Sequence, residues 1–123
     1  MLRDTNGMND YFSRWGGTFN GLHLLNGFDT NATCVDGGTG ARFAQYLFAQ
    51  TFFGITIPAL TVQQAWARMA DDLEPAGTRW RTISAAGPGW TSNLDDHCWG
   101  QGTTGPDYRG SQLIDWWAVS GVA

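Results

Sequence analysis

The run Phe19-Asn20-Gly21-Leu22-His23-Leu24-Leu25-Asn26-Gly27-Phe28, closed by Asp29-Thr30 and followed by Gly37-Gly38-Thr39-Gly40, constrains this fold more than any other feature. An apolar run of strand length bounded by glycines reads as a buried strand, here over about 20–28. The glycine-rich loop after it opens onto a helical pattern, which makes the pair half of an α/β unit. The other half, a parallel strand with its crossover, would have to precede Met1. Leu22 to Phe28 is therefore expected to be an interior sheet element whose missing neighbours come from outside the polypeptide.

A length of 123 residues fits one domain, 1–123. Such a chain buries roughly 65–70% of its unfolded surface, enough for a single core. Seven Trp and seven Phe stand against only 15% charged residues, so large side chains must supply much of the burial. Seven indoles are hard to hide in so short a chain, which points to a pocket wall or a subunit interface. The net charge of −4, with Arg79 and Arg81 as the only close basic pair, argues against nucleic acid as a partner. No run of 18 apolar residues and no signal-peptide pattern occur, so no membrane association and a cytoplasmic location are expected. The two cysteines, Cys34 and Cys98, read either as small buried hydrophobes or as one disulfide.

Along the chain, a helical turn fits about 9–15. Phe43, Ala44, Leu47 and Phe48 share one face of a helix over about 41–53, with Gly54 as its stop and 55–60 as an extended connector before and after Pro58. Thr61 and Gln64 form a capping-box pattern opening a second consecutive helix over about 61–74, with Val62, Ala65, Trp66, Met69 and Leu73 on its apolar stripe. Residues 79–85 alternate as a strand, Trp80, Thr82 and Ser84 opposing Arg79, Arg81 and Ile83. The stretch from Ala86 to Gly110 is longer than an ordinary connection, and 113–119 docks as a final strand or short helix.

The segment Asp95-Asp96-His97-Cys98 holds the first catalytic candidates: His97 as a base oriented by Asp96 or Asp95, with Cys98 as a thiol partner. The plainer reading is that the two aspartates close a turn. His23, Asp29 and Thr30 are the candidate ligand-binding residues, because open α/β sheets place ligands just past a strand's C-terminal end. The histidines and cysteines lack the spacing of a zinc site, so neither a metal nor a cofactor is expected.

Trp15, Phe19-Asn20-Gly21-Leu22-His23, Gly27-Phe28, Thr30, a glycine before a Phe-Ala helix, Ala65-Trp66, and Asp96-His97 with Gly100 and Gly102 resemble the C-terminal part of an uncharacterised microbial family. That family is similar to the caspase, gingipain and clostripain group of cysteine peptidases. The resemblance covers about residues 11–105. It implies the C-terminal half of a three-layer α/β fold: a late strand, two helices in succession, another strand and a long closing loop. In the group the catalytic His and Cys precede the matched region, and neither His23 nor Cys34 aligns with them. The resemblance therefore carries no peptidase role onto any residue here.

Two function classes follow. One is a non-catalytic binding or self-assembly module whose open sheet edge and aromatic excess favour a homo-oligomer or a second protein chain. The other is a hydrolase-like enzyme centred on His97 with Asp95 or Asp96.

Overall fold

A computed structural model describes residues 2–33 and 38–123. In chain order the elements are α1 (Tyr11–Trp15), β1 (Leu24–Phe28), α2 (Thr39–Leu47), the hairpin strands β2 (Gln50–Phe52) and β3 (Ile55–Ile57), α3 (Val62–Leu73), β4 (Arg79–Gly87), β5 (Thr91–Ser92) and β6 (Asp115–Val122). This is the mixed helix-and-strand architecture of a small α/β fold.

The centre of the main sheet is β4, whose residues from Trp80 to Gly87 are all buried. One of its edges is paired from end to end with β6, Arg79 opposite Val122 and Ala86 opposite Asp115. The other edge takes β1, Leu24 opposite Ser84 and Phe28 opposite Trp80, and then the short β5. Among the described residues every pairing is antiparallel.

The interior role expected of Leu22 to Phe28 therefore belongs to β4, and no parallel neighbour is involved. The segment is extended only from Leu24, and each residue of β1 is half-buried. Apolarity misassigned the roles because β4 carries Arg81, Thr82 and Ser84, which look like surface residues. Inside the fold each has a partner: Thr82 donates to Asn26 Oδ1 at 2.7 Å, Ser84 to the Ala85 carbonyl, and Arg81 to the Leu2 carbonyl and Ser120. Burial of a polar group costs little once it is hydrogen-bonded.

Strand alternation sorts the two faces. On one, Ile83 and Ala85 pack with Leu2, Tyr11, Phe19 and Tyr108, joined by Leu25, Trp116 and Ala118. On the other, α3 buries Ala65, Met69 and Ala70 and lays Trp66 against Phe28 and Phe43. Tyr108 sits so close to Gly87 that a Cβ there would fall 2.1 Å from its ring.

The capping box is formed: Gln64 N donates to Thr61 Oγ1 and Thr61 N to Gln64 Oε1, both at 3.2 Å. The observed α3 thus matches the helix expected over 61–74. The helix expected over 41–53 is shorter. It ends at Leu47, where Phe48 turns extended, and 50–57 form a hairpin. Gly54, expected as a helix stop, is the second residue of the hairpin turn. The β-branched and aromatic content of 51–57 outweighs the three- and four-residue spacing that suggested a longer helix. No helix among the described residues is long and apolar enough to cross a membrane.

Candidate functional sites

His23, just before β1, carries the densest polar cluster. Its Nδ1 lies 2.5 Å from Asp96 Oδ2 and its Nε2 lies 2.8 Å from Asp107 Oδ1. The Asp96 carboxylate is 8% exposed and also accepts from Gly105 N at 2.7 Å, while its backbone carbonyl accepts from Val62 N at the start of α3. Asp107 is half exposed and pairs with Arg109 at 2.8 Å. The His23 pKa is raised: burial pulls it down, and the hydrogen bonds to Asp107 and Asp96, with their charges, more than offset that. Asp107 is held below the usual carboxylate value, first by Arg109 and then by His23.

With each ring nitrogen facing a carboxylate, neither is left open to a substrate proton. The cluster is built as a clamp. It ties the loop 93–107 to β1 and to the N-terminus of α3. The two carboxylates lie at opposite ends of one ring and do not converge on a point. Among the described residues no group of three or more His, Cys, Asp or Glu side chains is placed to hold a metal ion.

Sequence reasoning had put Asp96 with His97. The structure gives Asp96 to His23, 73 positions away. His97 Nδ1 is buried without a hydrogen-bond partner among the described residues, and its ring packs over Gly102, where a Cβ would fall 2.5 Å away. Asp95 is exposed, and Cys98 is half-buried and has no disulfide partner among the described residues. Among the described residues His97 Nδ1 thus bonds to none of Asp95, Asp96 and Cys98. Cys34 and Gly37 lie outside the described residues, and with them the expected Cys34–Cys98 bridge and the start of the glycine-rich loop. Asp107 had no local signal. Only closure of the long loop brings it to His23.

Asp29 and Thr30 do lie at the end of β1, whereas His23 is at the opposite end, so the three do not form one site. Asp29 is buried: Oδ1 accepts from Asp4 N at 3.0 Å, and Oδ2 lies 3.3 Å from Arg81 and 3.4 Å from Arg79. Arg81 is itself buried, its guanidinium 4.1 Å from the centre of the Tyr11 ring. Thr30 Oγ1 accepts from Arg79 N. A cleft of about 350 Å³ opens beside them, bounded by Arg3, Asp4 and Arg79 as well. Asp29 is engaged as the counter-ion of Arg81 and Arg79, a structural pairing.

Two surface features remain. The first is the outer edge of β6, whose pairing among the described residues is with β4 alone. The Ala85 N to His23 O and Asp29 N to Arg79 O bonds show that odd-numbered residues of β4 point their backbone groups at β1. Its even-numbered residues point at β6, and the register then directs the amides of Trp116, Ala118, Ser120 and Val122 outward. The Trp116 amide is capped by the Asp115 carboxylate at 2.8 Å. The second feature is the hairpin, whose residues 51–58 are all exposed, Phe52, Phe53, Ile55 and Ile57 included.

A family model, "Domain of unknown function (DUF6345)", matches residues 1–121. No curated protein and no solved structure matches the chain.

Proposed function

The chain belongs to the DUF6345 family, whose description assigns no activity, and on that premise we propose that it is a non-catalytic self-assembly module that joins copies of itself through the outer edge of β6. One observation carries this reading. The eight residues of β6, Asp-Trp-Trp-Ala-Val-Ser-Gly-Val, contain no Lys, Arg or Pro and direct the amides of alternate residues outward. Soluble proteins ordinarily blunt such an edge with charge, proline, a bulge or a covering loop. Here only Asp115, at the first position, does so.

Antiparallel pairing of two β6 strands about a two-fold axis would continue the sheet through both protomers, with each Ala118, Ser120 and Val122 amide donating across the seam. The His23 clamp supports the non-catalytic part of the reading, because its imidazole has both nitrogens engaged. Ancestry shared with the caspase-like group is kept as a proposal. The order strand, two helices, strand and long loop supports it, and the antiparallel pairing weighs against it.

Sedimentation analysis of the chain and of Ala118→Pro, which removes an outward amide without touching the β4 ladder, tests the proposal. Val122→Lys, which charges the exposed edge, serves as the second variant. Both are expected to weaken self-association at least ten-fold while the far-ultraviolet dichroism is retained. A chain that stays monomeric at tens of micromolar, or association indifferent to both variants, refutes it.

A further inference from the structure

We propose that Phe53, at the tip of the β2–β3 hairpin, is the knob of a second self-association surface, seating in the groove behind the same hairpin of another copy. The turn itself gives the first argument. Phe52 pairs with Ile55, which leaves Phe53-Gly54 as a two-residue loop. Both have positive φ, +48° and +78°, as in a type I′ turn, for which Asn-Gly is the favoured sequence. A bulky side chain in the left-handed region is strained. Phe53 is also fully exposed, at 105%, so packing within its own chain does not offset that strain. A strained and unpacked aromatic at a position suited to asparagine points to a contact outside the monomer.

The hole lies on the same arm. Tyr46, Phe48, Phe52, Ile57 and Leu60 bound a groove of about 330 Å³. An apolar cavity of about 150 Å³ already accepts benzene, so one phenyl ring fits with room for its neighbours. Thr51 and Thr56 face each other 3.2 Å apart on one side of the hairpin. Phe52, Ile55 and Ile57 therefore share the other side.

The occupant is a second copy of this chain for three reasons. From Phe43 to Ala67 the sequence holds no Asp, Glu, Lys, Arg or His, and Arg68, the one charged residue lining the groove, stands 3.9 Å from Asp72 in its own chain, so two copies meeting here bring little unpaired charge together despite the overall −4. Knob and hole sit side by side, so a two-fold axis exchanges both at once and closes the contact. Phe48, Phe52, Phe53, Ile55 and Ile57 are each about half exposed or more. With an aromatic side chain offering roughly 150–250 Å², these five cover on the order of 600 Å² per protomer, and the pair of about 1,200 Å² reaches the range of specific interfaces.

None of the groove residues belongs to β6, so this surface and the β6 edge are separate. A copy that uses both contacts two neighbours, and the assembly grows beyond a dimer. The test is sedimentation analysis and light scattering of the full chain beside Phe53→Asn, Ile57→Thr, Ala118→Pro and the double variant Phe53→Asn with Ala118→Pro. Asn-Gly suits the turn, so Phe53→Asn is expected to unfold at an equal or higher temperature while its self-association weakens at least ten-fold. Ile57→Thr keeps a strand-favouring residue and is expected to weaken association by removing the groove wall. The unaltered chain should exceed a dimer, each single variant should stop at a dimer, and the double variant should be a monomer.

A lower unfolding temperature for Phe53→Asn with unchanged association would place the ring within its own fold and overturn the proposal. So would an Ala118→Pro variant that is already a monomer, which leaves the edge reading standing alone. A Phe53→Asn variant that is already a monomer sinks the edge reading instead and leaves this one. Loss of binding to phosphatidylcholine vesicles by Phe53→Asn, with its mass unchanged, would identify the knob as a lipid contact and likewise overturn the proposal.

Discussion

Replacement of His23 by glutamine tests whether the imidazole is held as a cation between two carboxylates. Glutamine keeps one donor and a similar reach but never carries charge. The Asp96 arm sets the magnitude, because Asp96 is buried and its remaining side-chain donor is the Gly105 amide. A hydrogen bond to a charged group contributes about 1.5–3 kcal/mol when one partner is lost from a buried pair. The Asp107 arm is exposed and solvent-screened, and adds no counted stability. For a chain of this size 1 kcal/mol moves the midpoint by roughly 3–5 °C, so His23→Gln should melt about 5–15 °C lower near pH 5.5.

The pH dependence carries the decision. A folded-state imidazole pKa raised above 6.5 contributes stability that is fully present below 6.5 and lost as pH rises through the raised value. Asp107 behaves oppositely: its lowered pKa contributes above 3.8 and the contribution is lost as pH falls through the lowered value. Both arms therefore hold between these limits, and the gap between parent and variant should shrink from about pH 5.5 to about pH 9. Urea unfolding of both proteins at the two pH values measures it. A gap that is equal at both, or larger at the alkaline one, would mean that the imidazole is neutral in the fold and that the clamp argument is wrong.

Two further substitutions probe what holds the sheet. Gly87→Ala puts a methyl 2.1 Å from the Tyr108 ring, which is buried and donates its hydroxyl to Thr91 at 2.7 Å. Overpacking should cost about 1–3 kcal/mol in chemical denaturation, and a neutral result would contradict the close seating of Tyr108. Arg81→Met leaves the buried Asp29 carboxylate with only the exposed Arg79 as a cation, a change worth about 3–5 kcal/mol. Adding Asp29→Asn should restore much of that stability, and failure to do so would place the loss in the Tyr11 and Leu2 contacts of Arg81 rather than in the charge pair.

What the sequence disclosed follows from how local each signal is. The capping box at Thr61 and the stripe from Val62 to Leu73 are decided within one helix, and α3 appears with its expected ends. Alternation across 79–85 is equally local, and β4 is there. The same reading failed where partners decide the outcome. Leu22 to Phe28 is more apolar than β4, yet β4 is the central strand because Asn26, Asp29, Ser120 and the Leu2 carbonyl satisfy its polar side chains. For 48–57, three- and four-residue spacing competed with β-branched composition, and the strand preference prevailed. The clamp was visible only in pieces. His23 and Asp96 were each singled out, but for different roles, and their meeting depends on how a loop of more than twenty residues closes over β1.

Left-handed backbone at non-glycine positions separates ordinary turns from loaded ones. Three such residues occur among those described: Asn9, Phe53 and Trp90, with φ of +55°, +48° and +62°. Asparagine tolerates that region, and Asn9 needs no further account. Phe53 and Trp90 are aromatic, strained and almost wholly exposed, so nothing inside the monomer offsets the conformations they hold. Both stand next to surfaces that the fold leaves uncovered. Phe53 crowns the apolar hairpin, while Trp90 lines a cleft of about 260 Å³ with Pro88, Ile114 and Trp117 at the start of β6. Phe53 thus marks the same surface that the hairpin groove identifies by independent geometry. If selection acted on monomer stability alone, asparagine or glycine would serve better at both positions.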